Sequence, residues 1–393
     1  MTSAAALLPL WNRGAEWARR LAMVREARSF LYLSTFYIEH DAYGVGMLAE
    51  LIAAQRRGVA VNLLIDGFGQ RLGGVLMSGD ERATLAAMLD ELRREGAVVT
   101  TYNPTRRMQR WLGGGQHVKI QVSDAGEAIF GSSNLSQSSY EGWNEYSVAL
   151  RGPVVPVLLA SYRAIGGTVN EAHLRQLTET GGSEDPPLRT AEIGAADLML
   201  DYWVCNPNTA QGMAGPLGWR GPNVVTDRLV ERIATAQQSI WITSFYFKPV
   251  EPLVAALVAA ARRGVQVEVY HSHREALPAT DLAWLAAAAH YDRLLAAGVS
   301  IYENRHGEHS KIMLVDEAWV AFGSYNFEHA AHDRLAEAML ASGDVRATQP
   351  AAEIFAELRR HPDNVLVTPQ VVAGWPARLK ARRRLFGPFK RWM

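Results

Sequence analysis

Cysteine is nearly missing: Cys205 stands alone among 393 residues, so no disulfide can form within the chain. No motif surrounds it, and it reads as a small packed residue rather than a nucleophile. Long apolar runs are missing too. No stretch reaches the roughly 18 residues a spanning helix needs. The opening MTSAAALLPLWNRGAEWARR has no positive charge ahead of its apolar run and does not read as a secretory signal. Membrane contact, if any, is therefore expected to be peripheral. Net charge is absent as well, with 40 basic and 40 acidic residues. That removes any global attraction to nucleic acid and leaves only a local basic groove as a route to it.

What is present is a repetition. FLYLSTFYI (Phe30 to Ile38) matches SIWITSFYF (Ser239 to Phe247), and LIAAQRRGVAVNLLID (Leu51 to Asp66) matches LVAAARRGVQVEVYHS (Leu257 to Ser272). EGAVVTTYN (Glu95 to Asn103) then matches AAGVSIYEN (Ala296 to Asn304) in the same order. The chain is thus two copies of one unit. Each copy reads as strand, helix, strand, helix, strand and a final hairpin, which argues α/β with a mixed, mostly parallel sheet. The expected organisation is a first lobe over 1–180, a Gly- and Pro-rich linker over 181–192, a second lobe over 193–367, and a tail over 368–393 outside the repeat.

Each copy ends in a polar pattern set among apolar neighbours: QHVKIQVSDAGEAIFGSSN from Gln116 to Asn134, and EHSKIMLVDEAWVAFGSYN from Glu308 to Asn326. Residues two apart on a strand share a face. His117 and Lys119 therefore project together, as do His309 and Lys311, while Val118, Ile120, Ile312 and Leu314 face the other way. A turn near Asp124 or Asp316 returns the chain to Gly131-Ser132-Ser133-Asn134 or Gly323-Ser324-Tyr325-Asn326, where Gly permits close backbone approach. One copy supplies half a site. Two copies about a pseudo-twofold supply two each of His, Lys, Ser and Asn. That inventory suits a phosphodiester: Lys119, Lys311, Asn134 and Asn326 hold the non-bridging oxygens, one His attacks phosphorus and the other protonates the leaving oxygen. No metal or cofactor is called for, because the lysines neutralise the charge.

The duplicated H-x-K-x(4)-D-x(6)-G-S-x-N resembles the signature of the phospholipase D superfamily, and both copies match it in full. The resemblance implies two α/β/α lobes related by a pseudo-twofold, with a covalent phosphohistidine on His117 and with His309 acting as acid and then base; the reverse assignment stays open. It also implies that Glu145 and Glu337, about eleven residues past each motif Asn, orient the histidines. Ser132, Ser324 and the motif aspartates Asp124 and Asp316 complete the expected site set, the aspartates in a supporting part. YIEHDAYGVGMLAELIAAQRRGVAVNLLIDGFG and YNPTRRMQRW resemble bacterial cardiolipin synthases, which implies a phosphatidyltransferase acting on an anionic phospholipid such as phosphatidylglycerol. The alternative is a phosphodiesterase hydrolysing phospholipid or nucleic acid. There are departures: FEHAAHDRLAEAML follows the second motif where the family often has L-D-x-R-S, and Leu335 stands where an Asn is common.

The tail GWPARLKARRRLFGPFKRWM (Gly374 to Met393) is basic and aromatic, which suits an anionic bilayer surface on the cytoplasmic side of the membrane. A solvated basic end reads equally well. STFY and TSFY end equivalent strands and are candidates to line the pocket, and Trp111 and Trp143 flank the first motif. The oligomeric state is not legible.

Overall fold

The computed structural model describes residues 1–180, 198–209, 222–277 and 281–389. The expected linker, 181–192, lies outside them. The repeated unit is present in both halves. In the first, the strands Phe30–Thr35, Ala60–Asp66 and Val98–Tyr102 alternate with the helices Ala42–Arg56 and Gly79–Arg94, then lead into the hairpin Lys119–Ser123/Glu127–Gly131. In the second, the strands Ser239–Ser244, Gln266–Ser272 and Ser300–Asn304 lead into the hairpin Ile312–Val315/Trp319–Gly323. Local chemistry sets the bounds. Asp41 caps the helix Ala42–Arg56 by accepting the N–H groups of Tyr43 and Gly44, and Gly58, with φ of 95°, turns the chain out of it.

Each lobe is built on a mixed sheet, seven-stranded in the first and ten-stranded in the second among the described residues. The expected predominance of parallel pairing does not hold. In the first lobe only Phe30–Thr35, Ala60–Asp66 and Val98–Tyr102 run parallel, and the hairpin and its outer neighbours Ser147–Arg151 and Ala6–Leu10 are antiparallel. The reason lies in the connections: helical crossovers allow parallel neighbours, while the tight turn of the hairpin allows only antiparallel ones.

One face of the first sheet packs Leu31, Leu33, Val61 and Leu63 under helices carrying Met47, Leu51 and Leu92. The opposite face sends Tyr32, Val118, Ile120 and Phe130 into a core that also holds Ile312, Leu314, Phe322 and Leu340 of the second lobe. The expected alternation along the motif strands is what feeds this shared core. Strand pairing adds to the connection. Thr2–Ala4 pairs with Leu198–Leu200 in the second sheet, whereas Ala6–Leu10 pairs with Ser147–Arg151 in the first. Gly115–Gln116 runs parallel to Leu335–Ala336.

Over residues 368–389 the chain is docked on the second lobe. Leu379 is buried, the Trp375 ring lies 5.1 Å from that of Trp284, and Arg382 pairs with Asp281 at 2.6 Å. Leu385 and Phe389 remain exposed. No helix among the described residues is long and apolar enough to cross a membrane.

Candidate active site

The two motifs meet at the seam between the lobes. The His117 N–H donates to Ala336 O at 2.8 Å, and the His309 N–H donates to Asn144 O at 2.8 Å. Each histidine is thus held by the residue that precedes the other lobe's glutamate. The side chains follow: His117 Nδ1 lies 3.0 Å from Glu337 Oε1, and His309 Nδ1 lies 2.8 Å from Glu145 Oε1. The orienting pairs therefore cross between lobes. This leaves each Nε2 for chemistry, since the other ring nitrogen is committed.

Ser132 and Ser324 support this crossing. Ser132 Oγ accepts from Tyr146 N at 3.0 Å and donates to Tyr146 O at 3.2 Å. Ser324 Oγ accepts from Ala338 N at 3.0 Å and also donates to Glu337. Glu145 is fixed on its side by Ser139 Oγ at 2.8 Å, a contact the sequence did not announce. Two glycines permit the approach. A Cβ on Gly323 would sit 2.3 Å from Ala338 O, and one on Gly115 would sit 2.5 Å from Asp66 Oδ2. The LGGGQ stretch before His117 is threaded tightly between Asp66 and the second lobe.

Both lysines are buried beside the histidines. Lys119 Nζ donates to His117 O at 2.6 Å, and Lys311 Nζ donates to His309 O. Asn134 is fully buried with its Nδ2 donor unpaired among the described residues, and Asn326 leaves Oδ1 unpaired. Rings frame both histidines. Phe36 meets His117 edge-on at 4.7 Å and Phe245 meets His309 edge-on at 4.7 Å, while Trp143 stacks on His309 at 4.9 Å.

Burial dominates the proton affinities. It lowers His117 well below the ordinary histidine value, with Lys119 and Lys311 adding to the effect. It lowers His309 to about 4, against the pull of Glu145. Burial and the neighbouring Lys311 also take Lys119 well below its ordinary range, and burial takes Lys311 to about 8. Burial would raise Glu145, but His309 and Lys311 outweigh it and hold the carboxylate at about 2. For Glu337 burial prevails over Lys119 and Ser324, and the carboxyl is pushed up. Geometrically equivalent halves therefore differ in their carboxyl groups, with Glu145 held low and Glu337 pushed up.

The motif aspartates are not part of this centre, which corrects their place in the expected site set. Asp124 accepts from Arg28 N and from Ser29 N and Oγ. Asp316 accepts from Gln237 N, Gln238 N and Ser239 N. Both sit at the turn end of their hairpins, on the order of 20 Å along the strand from the histidines. They fix the entry of the strands Phe30–Thr35 and Ser239–Ser244. Their short polar side chains suit turns and caps, which is why the motif keeps them.

The histidines and asparagines open into a cavity of about 1100 Å³, lined also by Phe36, Tyr37, Phe245, Tyr246, Trp111 and Trp143. The strand ends STFY and TSFY and both tryptophans are thus cavity residues. Sequence reasoning missed the polar wall. Lys248 Nζ lies 3.0 Å from Glu328, both nearly fully buried. At the position equivalent to Lys248 the first lobe has Glu39, which burial and nearby Asp41 raise to about 7. The internal alignment already contained this signal, an acid facing a base at matched positions. Glu308, which precedes His309, accepts from Asn144 Nδ2 at 3.0 Å and is raised by burial to about 7.

Comparisons with known proteins agree with this geometry. The family model described as "Cardiolipin synthase, PLD-like domain" matches residues 21–162 and 229–359. A cardiolipin synthase of Geobacillus kaustophilus (strain HTA426) is 28% identical over 337 residues, covering 81% of this chain and 59% of that protein. Cardiolipin synthase B of Escherichia coli (strain K12) is 27% identical over 314 residues, covering 78% and 68%. The chain thus spans somewhat under two thirds of the length of the first of these relatives. The solved phosphatidylserine synthase of Haemophilus influenzae Rd KW20 shares the fold with a TM-score of 0.71 at 15% identity, over 100% of this chain and 97% of that one. With two motif copies intact and both lobes matched, the chain belongs to the cardiolipin synthase, PLD-like domain family.

Proposed function

We propose that this chain is a phosphatidyltransferase of cardiolipin synthase type, which moves a phosphatidyl group from phosphatidylglycerol to an alcohol through a phosphohistidine. The observation that carries the reading is the crossed pair of histidines at the floor of a large, aromatic-lined cavity. The names of its relatives support the choice of lipid.

His117 Nε2 attacks phosphorus as the bond to the glycerol headgroup breaks. His309 gives its proton to the departing glycerol oxygen. Its low proton affinity rises when a phosphodiester anion lies between the imidazoles and the two ammonium groups. Lys119, Lys311 and the free Asn134 Nδ2 donor stabilise the charge on the non-bridging oxygens. An acceptor hydroxyl, that of a second phosphatidylglycerol, then attacks phosphorus and returns a proton to His309. The P–N bond breaks and His117 is regenerated, with one molecule of glycerol released per cardiolipin formed. Such a chain works at the lipid surface, peripheral to the inner face of the cell membrane, and the exposed end of its basic tail is suited to that face.

The test is incubation of purified protein with phosphatidylglycerol vesicles, read by lipid mass spectrometry, with His117→Ala as control. Cardiolipin appearing with equimolar glycerol is expected. Phosphatidate as the product would replace transfer by hydrolysis, and turnover of a generic phosphodiester without lipid turnover would reject the lipid reading.

A further inference from the structure

The mouth of the cavity carries large apolar side chains in the open. Leu72, Val75, Leu76, Met108 and Trp111 are 49%, 63%, 60%, 51% and 81% exposed, and all belong to two first-lobe segments, residues 67–79 and 103–116. The segments touch, since a Cβ on Gly113 would fall 2.9 Å from the Phe68 ring. Leu72, Leu76 and Trp111 continue inward as cavity lining, while Val75 and Met108 stand outside it. A contiguous exposed apolar patch of this kind marks an interaction surface.

Its charge indicates what it meets. The same two segments hold Arg71, Arg106, Arg107 and Arg110 and no acidic residue, and all four arginines are exposed. None takes part in an ion pair among the described residues. The acids that line the cavity, Glu39, Asp41, Glu81, Glu141 and Glu328, stand on other segments. An apolar edge with an interfacial tryptophan and unneutralised arginines complements an anionic bilayer, with side chains among the acyl groups and guanidinium groups at the headgroups.

We propose that this arginine-flanked rim docks on an anionic membrane surface, so that a phospholipid passes from the bilayer into the cavity without its acyl chains crossing water. The inference rests on the lipid reading above and adds the surface through which the lipid arrives. Each methylene drawn through water costs free energy, and a mouth set in the interface avoids that cost. The exposed end of the tail, Leu385 and Phe389, lies apart from this rim in sequence and serves as the contrasting surface.

The experiment uses the full chain and vesicles of phosphatidylglycerol mixed with phosphatidylcholine. Flotation is measured in a His117→Ala background, so that binding is read without turnover. Val75→Asp/Met108→Asp, which alters neither cavity lining nor core, is expected to weaken flotation at least about tenfold. Turnover of vesicle phosphatidylglycerol by the same pair in the active chain should fall in step, with turnover of a dihexanoyl lipid kept below its micelle concentration unchanged. Undiminished flotation of the rim variant, or its loss only in Leu385→Asp/Phe389→Asp, overturns the proposal. Rim-dependent flotation by an active chain that turns over no lipid upholds the docking and rejects the transfer.

Discussion

Replacing Glu337 by Gln removes an ionisable carboxyl from the second lobe and leaves the shape of the side chain intact. The geometry says the damage appears on His117, in the other lobe. The carboxylate that His117 Nδ1 faces at 3.0 Å is fully buried, so no water replaces it. Losing a buried charge-assisted hydrogen bond that also fixes the tautomer is worth about 2–4 kcal/mol. That corresponds to roughly 30- to 1000-fold in rate, with KM little changed because Glu337 is not among the residues that line the cavity. The assay that isolates the step uses a phosphodiester with a nitrophenyl leaving group, which departs without a proton. The nitrophenolate burst then depends on the nucleophile pair alone. Glu337→Gln should slow the burst by the stated factor, and Glu145→Gln should leave it nearly intact while slowing turnover of phosphatidylglycerol. Equal loss in both variants, or loss in Glu145→Gln alone, would refute the assignment of His117 as nucleophile. An undisturbed burst in both would refute the crossed orientation itself.

Other outcomes follow from the same structure. Asp124→Ala removes an acceptor of three hydrogen bonds at a strand entrance; about 1–3 kcal/mol of stability should go, seen as a lower Tm, with kcat retained at a temperature where the variant is folded. Lys248→Met strands Glu328 in a buried site, which costs about 3–5 kcal/mol, and adding Glu328→Leu should recover most of the lost Tm; no recovery would count against a net cost of burying the pair. In a profile of rate against pH, kcat/KM should decline above about pH 8 as Lys311 loses its charge. For stability the sign runs the other way at Glu39: its carboxyl, raised to about 7, binds a proton in the folded chain that the unfolded chain has released, so its contribution declines as pH rises from about 4.5 to 7. Glu39→Gln should flatten that part of the profile in thermal melts.

The catalytic inventory was legible because its pattern is local. His-x-Lys on one strand and Gly-Ser-x-Asn after the return each fit within a short run, and duplication doubled the signal. The crossing of His117 to Glu337 was not legible, since spacing along a chain does not say which lobe a strand faces at a seam. The antiparallel majority was hidden in strands such as Ala6–Leu10, where Pro9 argues against a strand unless it lies at an edge, as it does here. Lys248 and Glu328 are 80 residues apart, and only the fold places them together. The exposure of the apolar residues in GFGQRLGGVLMSG (67–79) was not legible, because hydrophobicity in a sequence does not distinguish burial in protein from exposure at a surface.

The crossed pairs also set an order of events during synthesis. His117 leaves the ribosome 220 residues ahead of the Glu337 that orients it. A nascent first lobe can therefore fold around a histidine that lacks its partner carboxylate. The second lobe holds a histidine that needs Glu145, already made and waiting. Competence arrives only when the final strands of the second sheet close on the first.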